Sequence, residues 1–383
     1  MSVRPSFTRR SRPPAGTSRA EPNVWGGVRG IAAVLAPCAA LLGCQSHGSE
    51  SRPPPQSAAR AENASTSAAK IFRLLPNGGI GFDDLWFSPE LRAVLAPAGG
   101  TGCVELFDST SASQTSLCGI GPRGAYAGGH DLGTTSADFG AGFVFAIDRS
   151  TQSLRVAEPK TRRVVATAPL AGGPDYVRWV PSTREVWVTE PDAEQIEIFS
   201  LASDNPPKLS GAGAIPVKGG PESLVIDAEH DRAFTHLWRG STVQIGVAAR
   251  SVGEAFANGC QGSRGIALDA ARGQLFVGCS EGRAVVLDVA HGARRIDAVD
   301  EPGGVDIIAF NSSLHHLYVP AASDGSVSVL GVSLQGRLVE LGAFQAAKGA
   351  HCATGDDHGR VWVCAPDTGS LMVFDDTFPA AAK

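Results

Sequence analysis

The chain has 383 residues, with 33 basic and 38 acidic side chains and a formal net charge of −5. An acidic chain lacks the electrostatic attraction that drives nonspecific binding to nucleic acids, so we predict no nucleic-acid partner. The length alone would permit two domains, so domain organisation has to be taken from the pattern along the chain.

The N-terminal segment has the composition of an export signal. Six arginines precede the short apolar run GIAAVLAPCAALL, which ends just before Gly43 and Cys44. A basic segment followed by an apolar run too short to span a bilayer is typical of a signal peptide. We therefore predict that residues 1–44 form this signal and that the protein is exported to the cell envelope.

The end of this signal resembles a known processing motif. Leu41-Leu42-Gly43-Cys44 resembles the lipobox of bacterial lipoproteins, which implies that Cys44 is lipidated and anchors the chain to a membrane. By the same resemblance, Gln45 implies the outer membrane, facing the periplasm or the cell surface. The alternative is an ordinary secretory signal that contains an unrelated cysteine.

Residues 45–69 are rich in Ser, Ala and Pro and contain almost no large apolar side chains. Such a segment cannot bury enough surface to offset its ordering entropy, so we predict a disordered tether. Without residues 1–44 the formal net charge becomes −10. We assign residues 70–377 to one folded domain and residues 378–383 to a C-terminal tail.

Residues 70–377 contain seven copies of one pattern, in which a Gly-rich turn precedes two apolar strands joined by a polar turn. The copies begin at Gly78, Gly128, Gly172, Gly219, Gly262, Gly303 and Gly349. Their starts lie 41 to 50 residues apart, a period that indicates four-stranded propeller blades rather than a helical solenoid. The fold class is therefore all-β, a seven-bladed β-propeller.

The strand pattern also predicts how the ring closes. In the third copy the strands read DYVRWV, REVWVTE, QIEIFSL and SGAGAIPV, whose β-branched and aromatic residues suit a half-buried sheet. The last copy has only three strands, whereas Ile71–Leu75 is a strand pattern that precedes the first blade. We expect this N-terminal strand to pair with the last blade and remove two exposed sheet edges.

Two of the copies carry a recognisable motif. REVWVTEPDAEQIEIF and RVWVCAPDTGSLMVFD resemble the YVTN repeat, in which a strand close to VYVTN is followed by a polar turn and a V-x-V-x-D strand. The resemblance covers residues 71–377 and implies a seven-bladed propeller that is often exported. It implies no single activity, since this family includes binding proteins, surface-layer components and relatives of lactonases.

Six of the eight cysteines lie in the predicted propeller. An even number of cysteines in an exported protein favours disulfides, and the spacing places each pair across one hairpin. We predict the bridges Cys103–Cys118, Cys260–Cys279 and Cys352–Cys364.

The start of each innermost strand is the candidate functional position, because equivalent positions of a closed propeller meet around the channel. Alignment of the seven copies gives a ring of ionisable or imidazole side chains: Asp83, His130, Asp175, Glu222, Arg264, Asp306 and His351. The ends of the second strands, with Glu190, His236 and Trp238, are expected on the same face. His315 and His316 are expected in a solvated turn on the opposite face.

Converging carboxylates raise one another's pKa unless a cation neutralises them, so a divalent metal is a candidate cofactor. Its predicted ligands are Asp175, Glu222, Asp306 and His351. The alternatives are that Arg264 neutralises the carboxylates, that these side chains only bond turn backbone, or that they line a water-filled channel.

The sequence contains no GxSxG nucleophile elbow between a strand and a helix, no HExxH and no phosphate-binding loop before a helix, so it supplies no catalytic residues. The leading hypothesis is a binding module for a small ligand, a metal or an envelope protein at the central channel. The alternatives are a metal-dependent, lactonase-like hydrolase that uses the same ring, and an envelope scaffold.

Overall fold

The structure of the protein is a computed structural model that describes residues 68–380. The predicted signal peptide, the predicted lipidation site Cys44 and tether residues 45–67 lie outside the described residues, as do residues 381–383. Within the described range, no helix has the length and apolarity needed to cross a membrane.

The described residues form seven antiparallel sheets, which are the blades of a β-propeller. The strands of blade 1 are β2 (Trp86–Ser88), β3 (Ala93–Pro97), β4 (Cys103–Asp108) and β5 (Gln114–Cys118). Those of blade 2 are β6 (Thr134–Gly140), β7 (Phe143–Asp148), β8 (Ser153–Glu158) and β9 (Arg163–Pro169). Those of blade 3 are β10 (Val177–Val180), β11 (Glu185–Glu190), β12 (Gln195–Asp204) and β13 (Pro207–Pro216).

Blade 4 contains β14 (Val225–Asp227), β15 (Arg232–Leu237), β16 (Ser241–Gly246), β17 (Ser251–Val252) and β18 (Phe256–Ala257). Blade 5 contains β19 (Ser263–Asp269), β20 (Gln274–Cys279), β21 (Arg283–Asp288) and β22 (Arg294–Asp300). Blade 6 contains β23 (Ala309–Asn311), β24 (His316–Ala321), β25 (Ser326–Val332) and β26 (Leu338–Gln345). Blade 7 contains β27 (Ala353–Gly355), β28 (Arg360–Ala365) and β29 (Ser370–Asp375). Three 3-10 turns occur at Pro191–Ala193, Ala228–His230 and Pro366–Thr368.

The first strand of each blade is the innermost strand. These seven strands contact one another in chain order, and β27 of blade 7 contacts β2 of blade 1. The contacts therefore form a closed ring around a central channel. All seven strands run in the same sense along the channel, so the residues that precede them share one mouth.

The ring closes as the sequence predicts. Strand β1 (Lys70–Arg73) pairs antiparallel with β29 and supplies the fourth strand of blade 7, with Phe72 opposite Leu371. Leu74 continues this contact by donating its backbone N–H to the carbonyl of Gly369 at 3.0 Å. The predicted strand began at Ile71 and ended at Leu75, so the observed strand begins one residue earlier and ends two residues earlier.

The three predicted disulfides are present. Cys103 and Cys118 lie directly opposite each other on β4 and β5. The bridges Cys260–Cys279 and Cys352–Cys364 each join the start of an innermost strand to the strand that follows it. Both of these bridges therefore stiffen the rim of the predicted site.

One expectation about the opposite face is wrong. His316 is fully buried, because its Nδ1 contacts the carboxylate of Asp376 at 2.7 Å and its Nε2 contacts the carbonyl of Pro379 at 3.0 Å. Phe378 also packs edge-on against Phe344, with ring centroids 5.6 Å apart. The described part of the C-terminal tail thus covers a histidine that the sequence assigned to a solvated turn.

Candidate functional site

The seven side chains predicted to form a ring meet at one mouth of the channel. His130 of blade 2 lies 3.6 Å from the Asp306 carboxylate of blade 6, although these two blades are not neighbours. Contact between non-neighbouring blades is possible only near the axis. We call the following group the mouth cluster, which includes one arginine that the sequence analysis missed: Asp83, His130, Arg149, Asp175, Glu222, Arg264, Asp306 and His351.

Arg149 links two carboxylates of the cluster. Its Nη2 donates to Asp83 at 2.8 Å and also to Asp175, while its Nε donates to the carbonyl of Pro174 at 3.1 Å. Burial alone would raise the pKa of Asp83, but the charges of Arg149 and His130 lower it below the usual range. Asp83 is therefore charged at neutral pH.

His130 lies between two carboxylates. Its Nδ1 is 3.2 Å from Asp83, its Nε2 faces Asp306, and its ring stacks on that of His351 with centroids 5.2 Å apart. The negative charge of Asp83 is the main reason that the pKa of His130 rises to about 9, which outweighs the opposite effect of burial. The imidazole is therefore a cation at neutral pH.

A second ion pair lies beside the first. Arg264 donates to the carboxylate of Glu222, and its guanidinium lies over the indole of Trp238, 4.6 Å from the ring centroid. Burial raises the pKa of Glu222 to about 7 although Arg264 opposes the shift. Glu222 therefore gains or loses its charge near neutral pH, whereas the guanidinium of Arg264 stays positive.

The remaining two carboxylates are protonated more readily than usual. Burial raises the pKa of Asp175 well above its ordinary value, against the effect of Arg149 and with the help of the Glu222 and Asp83 charges. Burial and the charge of Asp83 likewise raise the pKa of Asp306. The mouth cluster is thus charge-compensated by its own arginines, by His130 and by bound protons.

The structure divides the four predicted metal ligands into two groups. Asp306 and His351 come together with His130, and their ligand atoms lie within 4.8 Å of one another. Asp175 and Glu222 are held instead by Arg149 and Arg264. Both nitrogens of His351 face backbone carbonyls, of Gly349 at 2.8 Å and Phe82 at 3.0 Å, so metal ligation by this ring would break one of these contacts.

Comparison with known proteins identifies the fold. No protein-family model matches the chain, and no curated protein matches its sequence. Among solved structures, a chain of Kuenenia stuttgartiensis hydrazine synthase has a TM-score of 0.64 at 12% identity, covering 79% of this chain and 97% of that one. The Myceliophteria thermophila Cps50 (Swd1) β-propeller domain has a TM-score of 0.65 at 9% identity, covering 81% and 100%. A chain of the mitotic checkpoint complex has a TM-score of 0.64 at 11% identity, covering 88% and 98%.

The fold is a seven-bladed β-propeller. At these identities the likeness shows the architecture alone, because one propeller scaffold carries many unrelated functions. The function has to be argued from the mouth cluster itself.

Sequence reasoning missed Arg149 because the alignment followed only the starts of the innermost strands. Arg149 comes directly after β7, the second strand of its blade, and Trp238 comes directly after β15, the second strand of blade 4. The two residues are therefore equivalent, and both reach a mouth-cluster side chain. The sequence analysis expected the ends of second strands on this face. Applied to blade 2, whose second strand ends at Asp148, this expectation identifies Arg149.

The other two second-strand residues turn inward. Glu190 is fully buried and accepts a hydrogen bond from Gln195 at 2.6 Å. His236 is also buried, between Thr242 and the carbonyl of Gly265, and this burial lowers its pKa to about 4. Both residues support the blades rather than line the mouth.

Exposure within the mouth cluster shows which groups a ligand meets first. The side chains of Arg264 and His130 are 32% and 31% exposed, whereas those of Asp306, Asp175 and Asp83 are 19%, 14% and 3% exposed. Arg264 and His130 therefore lie outermost, and the carboxylates lie beneath them together with Arg149, which is 13% exposed. Trp238, 46% exposed, adds an open aromatic surface beside Arg264.

Proposed function

We propose that this protein is a binding module that captures a ligand at the mouth cluster. The observation that supports the proposal best is the convergence of a polar side chain from every blade on one channel mouth, with two cations outermost. Buried, interacting titratable groups of this kind are concentrated at functional sites of proteins. The propeller fold itself fits a binding or scaffold role.

The chemistry of the mouth favours a ligand with an anionic group beside a flat apolar group. Arg264 and His130 offer charged donors, and bonds between charged partners are the strongest hydrogen bonds available. Trp238 also lines a groove of about 430 Å³ together with Leu237, Pro191 and Gly219. A small aromatic carboxylate, or the acidic and aromatic side chains of an envelope protein, would match both features.

Export and lipid anchoring belong to the same proposal. The lipobox-like sequence ending at Cys44, the YVTN-like repeats and the three disulfides support a protein of the cell envelope, since disulfides persist in oxidising compartments. Metabolic labelling with a palmitate analogue tests the anchor. Incorporation that survives in a Cys44→Ser variant would contradict it.

The mouth site is tested with a matched pair of probes, N-acetyltryptophan and its uncharged amide, titrated into residues 45–383 by ligand-observed NMR. The acid is expected to bind more tightly than the amide, because only the acid carries the anionic group. In an Arg264→Gln variant, loss of the charged hydrogen bond is expected to weaken binding of the acid by about 10-fold or more.

The control for this variant is Arg184→Gln, which removes an arginine from an exposed pair with Asp204 and leaves the mouth cluster unchanged. Binding of the acid should be unaltered in this control. Equal binding of acid and amide, or equal affinity in the Arg264→Gln and wild-type proteins, would reject the site and favour the envelope-scaffold alternative.

A second candidate is a metal-dependent role, including a lactonase-like hydrolase, at the same mouth. It is favoured by the grouping of His130, Asp306 and His351, a nitrogen and oxygen set that suits zinc, manganese or iron. Zinc titration followed by metal analysis tests this role. Stoichiometric zinc that is lost in an Asp306→Asn variant would support it, and zinc retained by that variant would exclude this set of ligands.

A further inference from the structure

The channel also contains a cavity on the side opposite the mouth cluster. It has a volume of about 440 Å³ and is lined mainly by apolar side chains in or next to the innermost strands, among them Trp86, Phe87, Ile266, Ile308 and Phe310. Pockets for small ligands typically measure about 300–1,000 Å³ and are mostly apolar with a few placed polar groups. The size and the lining of this cavity are therefore those of a ligand site.

Among the polar groups on side chains that line the cavity, the enclosed Nε of Arg178 and the hydroxyl of Tyr176 lack a hydrogen-bond partner within residues 68–380. Tyr176 lines the cavity and is 4% exposed, yet its hydroxyl has no hydrogen-bond partner among residues 68–380. A buried tyrosine hydroxyl ordinarily finds a partner. Burial, together with the charges of Asp83 and Asp306, raises the pKa of Tyr176 well above its usual value, so the hydroxyl remains a donor.

Each charged side chain that lines the cavity already has an oppositely charged partner. Arg178 donates to Asp84 through two hydrogen bonds, at 2.6 and 3.0 Å, and Asp356 accepts from Arg360 and from the Trp362 indole. Asp357 at the rim faces Arg92 at 3.5 Å. A charged ligand would therefore be buried without a counter-charge, which is costly, and a neutral ligand would not.

The walls of the cavity favour a flat molecule. Trp86 and Phe310 are each covered on one side, by the guanidinium of Arg178 at 4.3 Å and by the ring of Phe276 at 4.7 Å. Both rings remain partly exposed and line the cavity. Aromatic walls of this kind pack well against planar apolar groups.

We propose that this cavity is a second binding site, for a neutral, planar, mainly apolar molecule with an acceptor atom to which the Tyr176 hydroxyl donates a hydrogen bond. This site differs from the mouth cluster in position, in charge and in the class of ligand. The proposal for the cavity does not depend on the function proposed for the mouth cluster.

The probe for this site is 6-propionyl-2-(dimethylamino)naphthalene, a neutral planar ketone whose fluorescence shifts to shorter wavelength in apolar surroundings. With residues 45–383 we expect saturable binding of one probe molecule and a blue shift. A Tyr176→Phe variant keeps the ring and removes only the donor, so affinity is expected to fall about 5-fold. Tyr126→Phe, which deletes a hydroxyl outside the cavity, should leave affinity unchanged.

An Ala309→Trp variant adds an indole to the cavity wall and should abolish probe binding while circular dichroism and the melting transition remain native. This variant keeps the test decisive if Tyr176→Phe fails to fold. The proposal is overturned if the wild-type protein shows no saturable blue shift, or if Ala309→Trp binds the probe as well as the wild type does. Wild-type affinity in a folded Tyr176→Phe protein would also overturn it.

Discussion

Deletion of residues 68–75 is expected to lower the free energy of unfolding by at least about 5 kcal/mol, a large fraction of the total stability of a typical domain. The deletion removes β1, whose pairing with β29 closes the ring, and leaves the edges of blade 7 open. Denaturant unfolding followed by circular dichroism measures the loss. Deletion of residues 45–67, which the sequence predicts to be a tether, is the control and should leave stability nearly unchanged.

Two neighbouring residues of β1 differ in how much they stabilise the closed ring. Phe72 packs against Phe107 and Trp362, with ring centroids 5.2 and 5.5 Å away, whereas Ile71 is 57% exposed. Phe72→Ala should cost about 2 kcal/mol and Ile71→Ala less than about 0.5 kcal/mol. Similar stabilities for the shortened and intact proteins would show that β1 does not hold the ring closed.

Replacement of Arg149 by methionine is expected to destabilise the protein by about 3–5 kcal/mol at neutral pH. Methionine keeps much of the aliphatic volume but removes the charge that serves Asp83 and Asp175. Loss of one partner leaves a buried charge uncompensated, which is the most destabilising way to break an ion pair. Chemical denaturation at pH 7 measures the difference from the wild type.

The stability lost in the Arg149→Met variant depends on pH because Arg149 lowers the pKa of Asp83. Its pKa is lowered in the folded protein, so its contribution to stability is present above its unfolded pKa of about 4 and is lost as the pH falls through the folded value. The difference between wild type and Arg149→Met should therefore be largest above about pH 5 and shrink in acid. Arg184→Met, at an exposed pair, should cost less than about 1 kcal/mol at any pH. Equal losses for both variants would show that Arg149 does not neutralise buried carboxylates.

The architecture was predictable because seven copies of one period leave few alternatives, and the missing strand of the last copy identified β1. Strand lengths were less predictable, since backbone pairing rather than composition sets them. In the third blade the innermost strand begins at Val177, not at Asp175, whereas the outer hairpin extends until Asp204 pairs with Pro207. The outer strand of blade 4 is divided into β17 and β18, which nothing in the repeat pattern indicated.

Seven members of the mouth cluster were predictable because equivalent positions of the seven blades lie at the same distance from the channel axis. Arg149 was missed because only the starts of the innermost strands were aligned, although it follows a second strand and its partners belong to blades 1 and 3. His316 was missed for a different reason, because the segment that buries it lies about 60 residues later in the chain. Contacts over such distances in the chain leave no local signal in a single sequence.

The central claim, that the mouth cluster binds the ligand, is tested most directly by side-chain ¹⁵N NMR of the nine histidines during titration with N-acetyltryptophan. Of the histidines in residues 68–380, only His130 and His351 lie in the cluster. The account predicts saturable shifts of these two resonances while the other histidines, including the buried His236 and His316, stay unchanged. Saturable binding that moves other histidine resonances and leaves those of His130 and His351 in place would contradict it.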